Sequence, residues 1–208
     1  MQWPGIEAFE SSGVPSAGPL HIVWAARWEH DKNPTDFFAA LDQLTTADVD
    51  FRVSVLGESF REVPSVFSEY HTKLADHILH WGYQESREAY AAALQSGDVF
   101  VSTAEHEFFG LAAAEAMAAG CLPLLPQRLA YPELVTDPNG AIHDEFLYNG
   151  TVDGLVRRLA ELAQKKRQHT LPQAAAVTLA SRFDWRLRVE EMDDALVKMV
   201  RQSQLREV

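Results

Sequence analysis

The chain is expected to fold as an α/β domain, with helices on both faces of a mainly parallel sheet of about six strands in a single, doubly wound, Rossmann-like arrangement. Three observations lead there. Short apolar runs alternate with longer segments of helical period from Leu20 onward. The runs are too short for helices and too continuous for strands facing water on one side, which is how strands of a two-sided parallel sheet read. And glycine or proline closes three of the six runs, at Gly57, Gly82 and Pro126, as turn residues do at strand ends.

Leu20-His21-Ile22-Val23-Trp24-Ala25 opens the series as a buried strand. Asn33-Pro34 supplies an N-cap with proline at the first helical position, and Phe37, Phe38, Leu41 and Leu44 follow at helical spacing. Phe51, Val53 and Val55 alternate as a second strand that stops at Gly57; Val66, Phe67, Tyr70 and Leu74 mark a second helix. Ile78 to Trp81 is a third strand, ended by Gly82, and the alanine-rich stretch from Ser86 to Leu94 is a helix with Ser86 as its cap. Val99 to Val101 is a fourth strand. A helix over Phe109–Ala119 ends at Gly120, a residue suited to the left-handed stop. Leu122 to Leu125, closed by Pro126, is a fifth strand, and Phe146-Leu147-Tyr148 a short sixth. Helices over about 151–167, 172–181 and 184–203 complete the chain.

Composition narrows the function classes. In 208 residues, 18 Lys and Arg face 30 Asp and Glu, a net charge of −12. Unaided grip on a nucleic-acid backbone or an anionic membrane needs the opposite balance. Cys121 is the sole cysteine, so no intrachain disulfide and no cysteine-based zinc site can form, and a reducing, cytoplasmic setting is expected. The N-terminus lacks a basic and apolar leader, and no apolar run is long enough for a membrane span. Residues 1–18, rich in Gly, Pro and Ser, read as a linker or arm. Residues 19–183 read as the Rossmann-like domain, and 184–208 as a C-terminal helix and tail.

In an open α/β sheet, ligands bind beyond the carboxyl ends of the strands. The loops to inspect are therefore 26–34, 56–62, 82–86, 102–111 and 126–134. Among 11 glycines there is no G-x-G-x-x-G, Walker A or G-x-S-x-G pattern, which sets aside dinucleotide, P-loop and hydrolase readings. Asp48-Val49-Asp50 precedes the second strand, at the wrong end of the sheet, and reads as a turn; no metal site is expected.

Arg27 and Lys32 follow the first strand and precede a helix, an arrangement suited to a diphosphate; they could equally pair with Glu29 and Asp31. Glu107 and Glu115 enclose seven residues, about 12 Å if that interval is mostly helical. One carboxylate could then hold sugar hydroxyls and the other a ribose, with the amides around Phe109-Gly110-Leu111 meeting the diphosphate between them. Glu115 lies in an otherwise small, apolar helix, where a carboxylate without a partner is costly. A solvent-facing Glu115 is the plainer alternative. Trp24, Trp28, Trp81 and Trp185 read as packing residues, His30 and His106 as loop hydrogen-bonders, Cys121 as a small buried residue, and Lys165-Lys166-Arg167 as a solvated helix end.

Arg27…Lys32, Gly82-Tyr83 and Ser102…Glu107-Phe108-Phe109-Gly110…Glu115-Ala116…Gly120, taken in order, resemble the C-terminal, donor-binding half of glycosyltransferase family 4. That family has the GT-B fold, two Rossmann-like domains with the active site between them. Arg27-Trp28-Glu29-His30-Asp31-Lys32-Asn33-Pro34, Val55-Leu56-Gly57-Glu58, His80-Trp81-Gly82-Tyr83, Ser102 to Gly110 and Tyr131-Pro132-Glu133 are similar to its tRNA-queuosine α-mannosyltransferase branch.

The resemblance implies a retaining, metal-independent hexosyltransferase that moves mannose from GDP-mannose onto queuosine in tRNA(Asp). It implies Arg27 and Lys32 on the diphosphate and Glu107 on the transferred sugar. It further implies Phe108, Phe109, Gly110 and Leu111 lining the pocket, Glu115 on the ribose and Tyr83 near the base. The donor is a substrate; no cofactor or metal is implied. The N-terminal acceptor domain of such an enzyme is absent from this chain, so the chain alone is expected to be catalytically incomplete, with tRNA reached only through the full-length enzyme. Two alternatives stay open: a UDP-sugar-dependent family 4 enzyme with a glycan or lipid acceptor, and a non-catalytic nucleotide-sugar-binding module.

Overall fold

The computed structural model describes residues 4–7, 18–58 and 63–204. Positions 1–3 and 8–17 of the expected arm, 59–62 of the second loop and 205–208 of the expected tail lie outside the described residues.

Six strands form one sheet: β1 Leu20–Ala25, β2 Phe51–Leu56, β3 Ile78–Gly82, β4 Val99–Val101, β5 Leu122–Pro126 and β6 Leu147–Tyr148. Their order is β3-β2-β1-β4-β5-β6, and each neighbouring pair is parallel. This is the doubly wound order, whose winding reverses between β1 and β4 and opens a crevice there. All six residues of β1 are buried, as a central strand covered on both faces requires.

The helices are α1 Pro34–Thr46, α2 Ser65–Lys73, α3 Arg87–Gln95, α4 Leu111–Ala119, α5 Tyr131–Leu134, α6 Val152–Arg167, α7 Gln173–Ala180 and α8 Trp185–Gln204. One layer pairs α1 with α2 and α6, and the other pairs α4 with α3 and α7. Caps fix several starts. Asn33 Oδ1 accepts from the Asp36 amide at 3.3 Å, with Pro34 next to it. Ser86 Oγ accepts from Ala89 at 3.1 Å, and Thr151 Oγ1 from Gly154 at 3.0 Å.

Under the first layer lies an aromatic cluster. Trp24 stacks on Phe37, Trp28 stacks on Phe67 with centroids 4.3 Å apart, and Trp81 meets Trp28 and Phe67 edge-on. Each such ring buried contributes roughly 1.5–3 kcal/mol. The three tryptophans therefore pack, as the sequence suggests; Trp185 is half exposed.

Four expectations change. Helix α4 starts at Leu111, not Phe109, because Gly110 at φ 94° breaks the helical path. Phe146 belongs to a 3-10 turn over Asp144–Phe146 rather than to β6. Within the expected arm, Ile6 is buried: its amide donates to Phe183 O and its carbonyl accepts from Trp185 N, each at 2.8 Å. Lys166 is not a solvated helix end; α6 turns it inward, where its ammonium pairs with buried Asp98. A charge at that depth persists only when paired.

Candidate functional site

The loops after β1, β2, β3 and β4 meet at the carboxyl edge of the sheet. Gly57 permits the closest approach. A Cβ there would lie 2.0 Å from the carbonyl oxygen of Ala26, so only glycine lets the first two loops touch. They are joined by Ala26 N to Leu56 O at 3.2 Å and Trp28 N to Glu58 O at 2.9 Å. Beside them opens a cleft of about 440 Å³, walled by Ala25, Ala26, Arg27, Leu56, Gly57 and Glu58 on one side and by Tyr83, Gln84, Ser86, Arg87, Tyr90 and Ala112 on the other. A smaller, more enclosed recess continues from it through the shared Ala25, Ala26 and Ala112, and is lined by Lys32, Ser102, Glu107, Gly110 and Tyr131 among others. Three small side chains thus form the saddle of a two-lobed trough across the switch point between β1 and β4.

The smaller lobe is held by a web between the loops after β1 and β4. Lys32 Nζ donates to His106 O at 2.6 Å and lies 3.4 Å from both Glu107 Oε2 and Asp31 Oδ2. Thr103 Oγ1 donates to Lys32 O at 2.9 Å, and the Glu105 amide donates to Asp31 O at 2.9 Å. The other oxygen of Glu107 accepts from the amides of Phe108, Phe109 and Gly110 at 3.1, 3.4 and 3.1 Å. Arg128 braces the loop from behind through Thr103 O and Ala104 O, at 2.9 and 3.1 Å. The hydroxyls of Ser102 and Tyr131 share a hydrogen bond of 2.6 Å.

Behind the Arg87–Tyr90 wall of the larger lobe, Glu115 is buried, and both its oxygens are engaged: Arg87 Nη1 donates at 2.9 Å and the Tyr90 hydroxyl at 3.1 Å. Burial, then the Glu115 carboxylate, push the Tyr90 phenol up. For Arg87, burial works against the charge, but the hydrogen bond and charge of Glu115 outweigh it and hold the guanidinium above its ordinary range. Arg27 is half exposed at the mouth, 3.4 Å from Glu29 and 3.8 Å from Asp31. An anion entering the trough would meet Arg27, Arg87 and Lys32, despite the chain's net charge of −12.

The model of glycosyl transferases group 1 matches residues 7–183. The chain belongs to that family. Within glycosyl transferases group 1, it is 40% identical over 148 residues to the tRNA-queuosine alpha-mannosyltransferase of Drosophila melanogaster, covering 71% of this chain and 37% of that protein. It is 26% identical over 186 residues to the GDP-mannose:cellobiosyl-diphosphopolyprenol alpha-mannosyltransferase of Xanthomonas campestris, covering 87% and 47%. The chain therefore spans less than half the length of both relatives. Sucrose-phosphate synthase from Thermosynechococcus elongatus superposes with a TM-score of 0.73 at 17% identity, over 91% of this chain and 47% of that one. This likeness carries the fold: the chain is the Rossmann-like half of a GT-B arrangement.

For this group 1 domain the residues singled out in the sequence fall into three sets. Arg27 and Tyr83 line the larger lobe, and Lys32, Glu107 and Gly110 the smaller. Phe108, Phe109 and Leu111 line neither, nor does Glu115, which reaches the larger lobe only through its contacts with Arg87 and Tyr90. Phe108 is 87% exposed with its ring edge-on to His106, Phe109 packs edge-on against Phe183 at 5.3 Å, and Leu111 is half exposed. The physical reason is Glu107, which draws three consecutive amides onto one oxygen and splays the side chains outward and backward.

The same contact corrects a second expectation. The amides of Phe109 and Gly110 are already taken by Glu107. The helical donors left for an anion are those of Leu111, Ala112 and Ala113, ahead of the first helical bond from Ala114 to Gly110. Glu115, third, is neither solvent-facing nor without a partner, as Arg87 and Tyr90 hold it. The interval from Glu107 to Glu115 is helical only from Leu111.

Sequence reasoning passed over Arg87, Tyr90, Gln84 and Arg128. Arg87 and Tyr90 stand three apart on one helix face, a legible signal, but their partner is on another helix. Among the described residues no group of three or more His, Cys, Asp or Glu is placed to hold a metal ion. No helix among them is long and apolar enough to cross a membrane.

Proposed function

We propose that this chain is the donor-binding half of a retaining mannosyltransferase that transfers mannose from GDP-mannose to queuosine in tRNA(Asp). The observation that carries the reading is the 40% identity to the queuosine enzyme, joined to a cleft of about 440 Å³ at the switch point that suits a nucleoside, with Lys32 and Glu107 at its inner end. The nucleoside lies in the larger lobe, with Tyr83 beside the base and Glu115 at the ribose. The diphosphate crosses the saddle of Ala25, Ala26 and Ala112 between Arg27 and Lys32, over the first-turn amides of α4. The mannose sits by Glu107.

As the bond from the sugar's anomeric carbon to the diphosphate breaks, negative charge grows on the leaving oxygen. Arg27, Lys32 and the first-turn amides of α4 flank its path, so the charge is stabilised by donors of the chain, with no metal required. The acceptor attacks from the leaving-group face, so configuration is retained.

The acceptor site belongs to an N-terminal domain, through which tRNA is reached in the cytoplasm. The exposed apolar side chains of α8, including Trp185, Leu187, Leu196 and Met199, would be covered there. The 208-residue chain alone is expected to bind donor without turnover.

The test is calorimetric titration with GDP, UDP, GDP-mannose and UDP-glucose without added metal, beside Arg27→Ala. Guanine-selective binding weakened by the substitution supports the reading. Uridine-selective binding keeps the site and changes the donor; no binding by any of the four overturns donor capture by this chain.

A further inference from the structure

We propose that Arg87, with Tyr90, is the positioning residue that gives the nucleotide site its preference for a ribose. The inference rests on the placement of the nucleoside in the larger lobe and goes beyond it, since neither residue belongs to the motifs that carry the family resemblance.

The argument begins with burial. Glu115 is 8% exposed in a helix whose other buried residues are alanines and a methionine. A carboxylate there needs hydrogen-bond donors to remain charged and fixed. Arg87 gives one to Oε1 at 2.9 Å and Tyr90 one to Oε2 at 3.1 Å. Each carboxylate oxygen keeps further acceptor capacity. A vicinal diol carries two hydroxyl donors at the spacing a fixed carboxylate can accept together, whereas a deoxyribose offers fewer.

Arg87 is itself anchored. Its Nε donates to Glu7 at 3.3 Å, and it sits one residue after Ser86, the cap of α3. It also lines the cleft between Gln84 and Tyr90. The first turn of α3 thus holds the carboxylate of α4 from the side, and Arg87 acts through Glu115 rather than on the nucleotide's reacting atoms. Lysine in its place would keep the charge and lose the planar fork.

The experiment compares the affinities of GDP and 2′,3′-dideoxy-GDP by calorimetry for the 208-residue chain and for its Arg87→Ala, Arg87→Lys and Tyr90→Phe variants, with thermal melts alongside. The unchanged chain should favour GDP by about tenfold or more, the scale of a hydrogen bond to a charged group. Arg87→Ala should shrink that ratio to about threefold or less, with Arg87→Lys and Tyr90→Phe between the two. A purely structural role would lower the melting temperature and both affinities while leaving the ratio alone, and that result overturns the proposal. A ratio that rises in Arg87→Ala also overturns it, by making Arg87 a competitor for Glu115. Should Arg87→Ala fail to fold, the ratio in Arg87→Lys and Tyr90→Phe decides. Absence of GDP binding by the unchanged chain would instead strike the proposed function. Equal binding of both nucleotides by the unchanged chain would strike this inference and the placement of Glu115 at the ribose, while leaving donor capture standing.

Discussion

The Lys32 ammonium stands 3.4 Å from the Glu107 carboxylate and 2.6 Å from the carbonyl of the residue before it. One side chain thereby ties the loop after β1 to the loop after β4, across the point where the sheet reverses its winding. It is only 12% exposed, so its charge acts in a partly dehydrated place where electrostatics are strong.

Replacing Lys32 with alanine should lower GDP affinity by about tenfold or more, the scale of a charge-assisted contact. Isothermal titration reads this directly. Glu107→Ala should act differently, releasing the amides of Phe108, Phe109 and Gly110 in the loop just ahead of α4 and costing about 1–2 kcal/mol in denaturant unfolding, the scale of lost hydrogen bonds to a charged group. Glu107→Gln, which keeps an acceptor oxygen, should recover most of that stability.

Gly57→Ala should be severe. The new methyl group would collide with the carbonyl of Ala26, a backbone atom, at a position whose φ is 126°. The loss should exceed about 1 kcal/mol, the usual gain or loss at tolerant glycines, and the melting temperature should fall with nucleotide affinity. A variant as stable and as tight-binding as the parent would show that the two loops do not need this contact.

Lys166→Ala should destabilise the fold by about 3–5 kcal/mol, because it leaves Asp98 buried and uncompensated. Asp98 also accepts from the His21 amide at 2.9 Å, which holds its side chain at that place in the core. The double variant Lys166→Met with Asp98→Asn should cost less than Lys166→Ala alone, since removing both charges avoids the unpaired one. Equilibrium unfolding in urea measures both.

Acid should weaken the fold through His21. Burial is the main cause lowering its pKa below 6.5, reinforced by His80 and Lys166 and opposed by the Ser96 carbonyl and Asp98. The neutral ring fits its surroundings, donating from Nδ1 to Ser96 O at 2.7 Å and accepting at Nε2 from the Ser54 hydroxyl at 2.8 Å. The unfolded chain therefore binds a proton before the folded chain does. This contribution is fully present above about pH 6.5 and is lost as pH falls from there towards the folded-state value. Unfolding free energies measured across that window should decline with falling pH, and a His21→Gln variant should flatten the decline.

Much of this domain could be read along the chain. Leu20–Ala25 is apolar but for His21 because both faces of a central parallel strand are covered, and the alternation of such runs with capped helices left few folds to consider. Asn33-Pro34, Ser86 and Gly120 marked helix ends because capping is local chemistry, decided within three or four residues. Arg27, Lys32 and Glu107 could be singled out for the same reason: they follow strands at the ligand-binding edge. What remained hidden was partnership across the fold. The sequence contains Arg87, Tyr90 and Glu115, but not the fact that α3 and α4 bring them together, nor that α6 drives Lys166 down to Asp98. Nor does it show that Glu107 spends one oxygen on the amides of the loop ahead of α4 and so turns Phe108 and Phe109 out of the pocket. Periodicity and caps depend on neighbours in the chain, and so are written in it. The pairing of a buried charge depends on which elements pack together, and only the folded chain decides that.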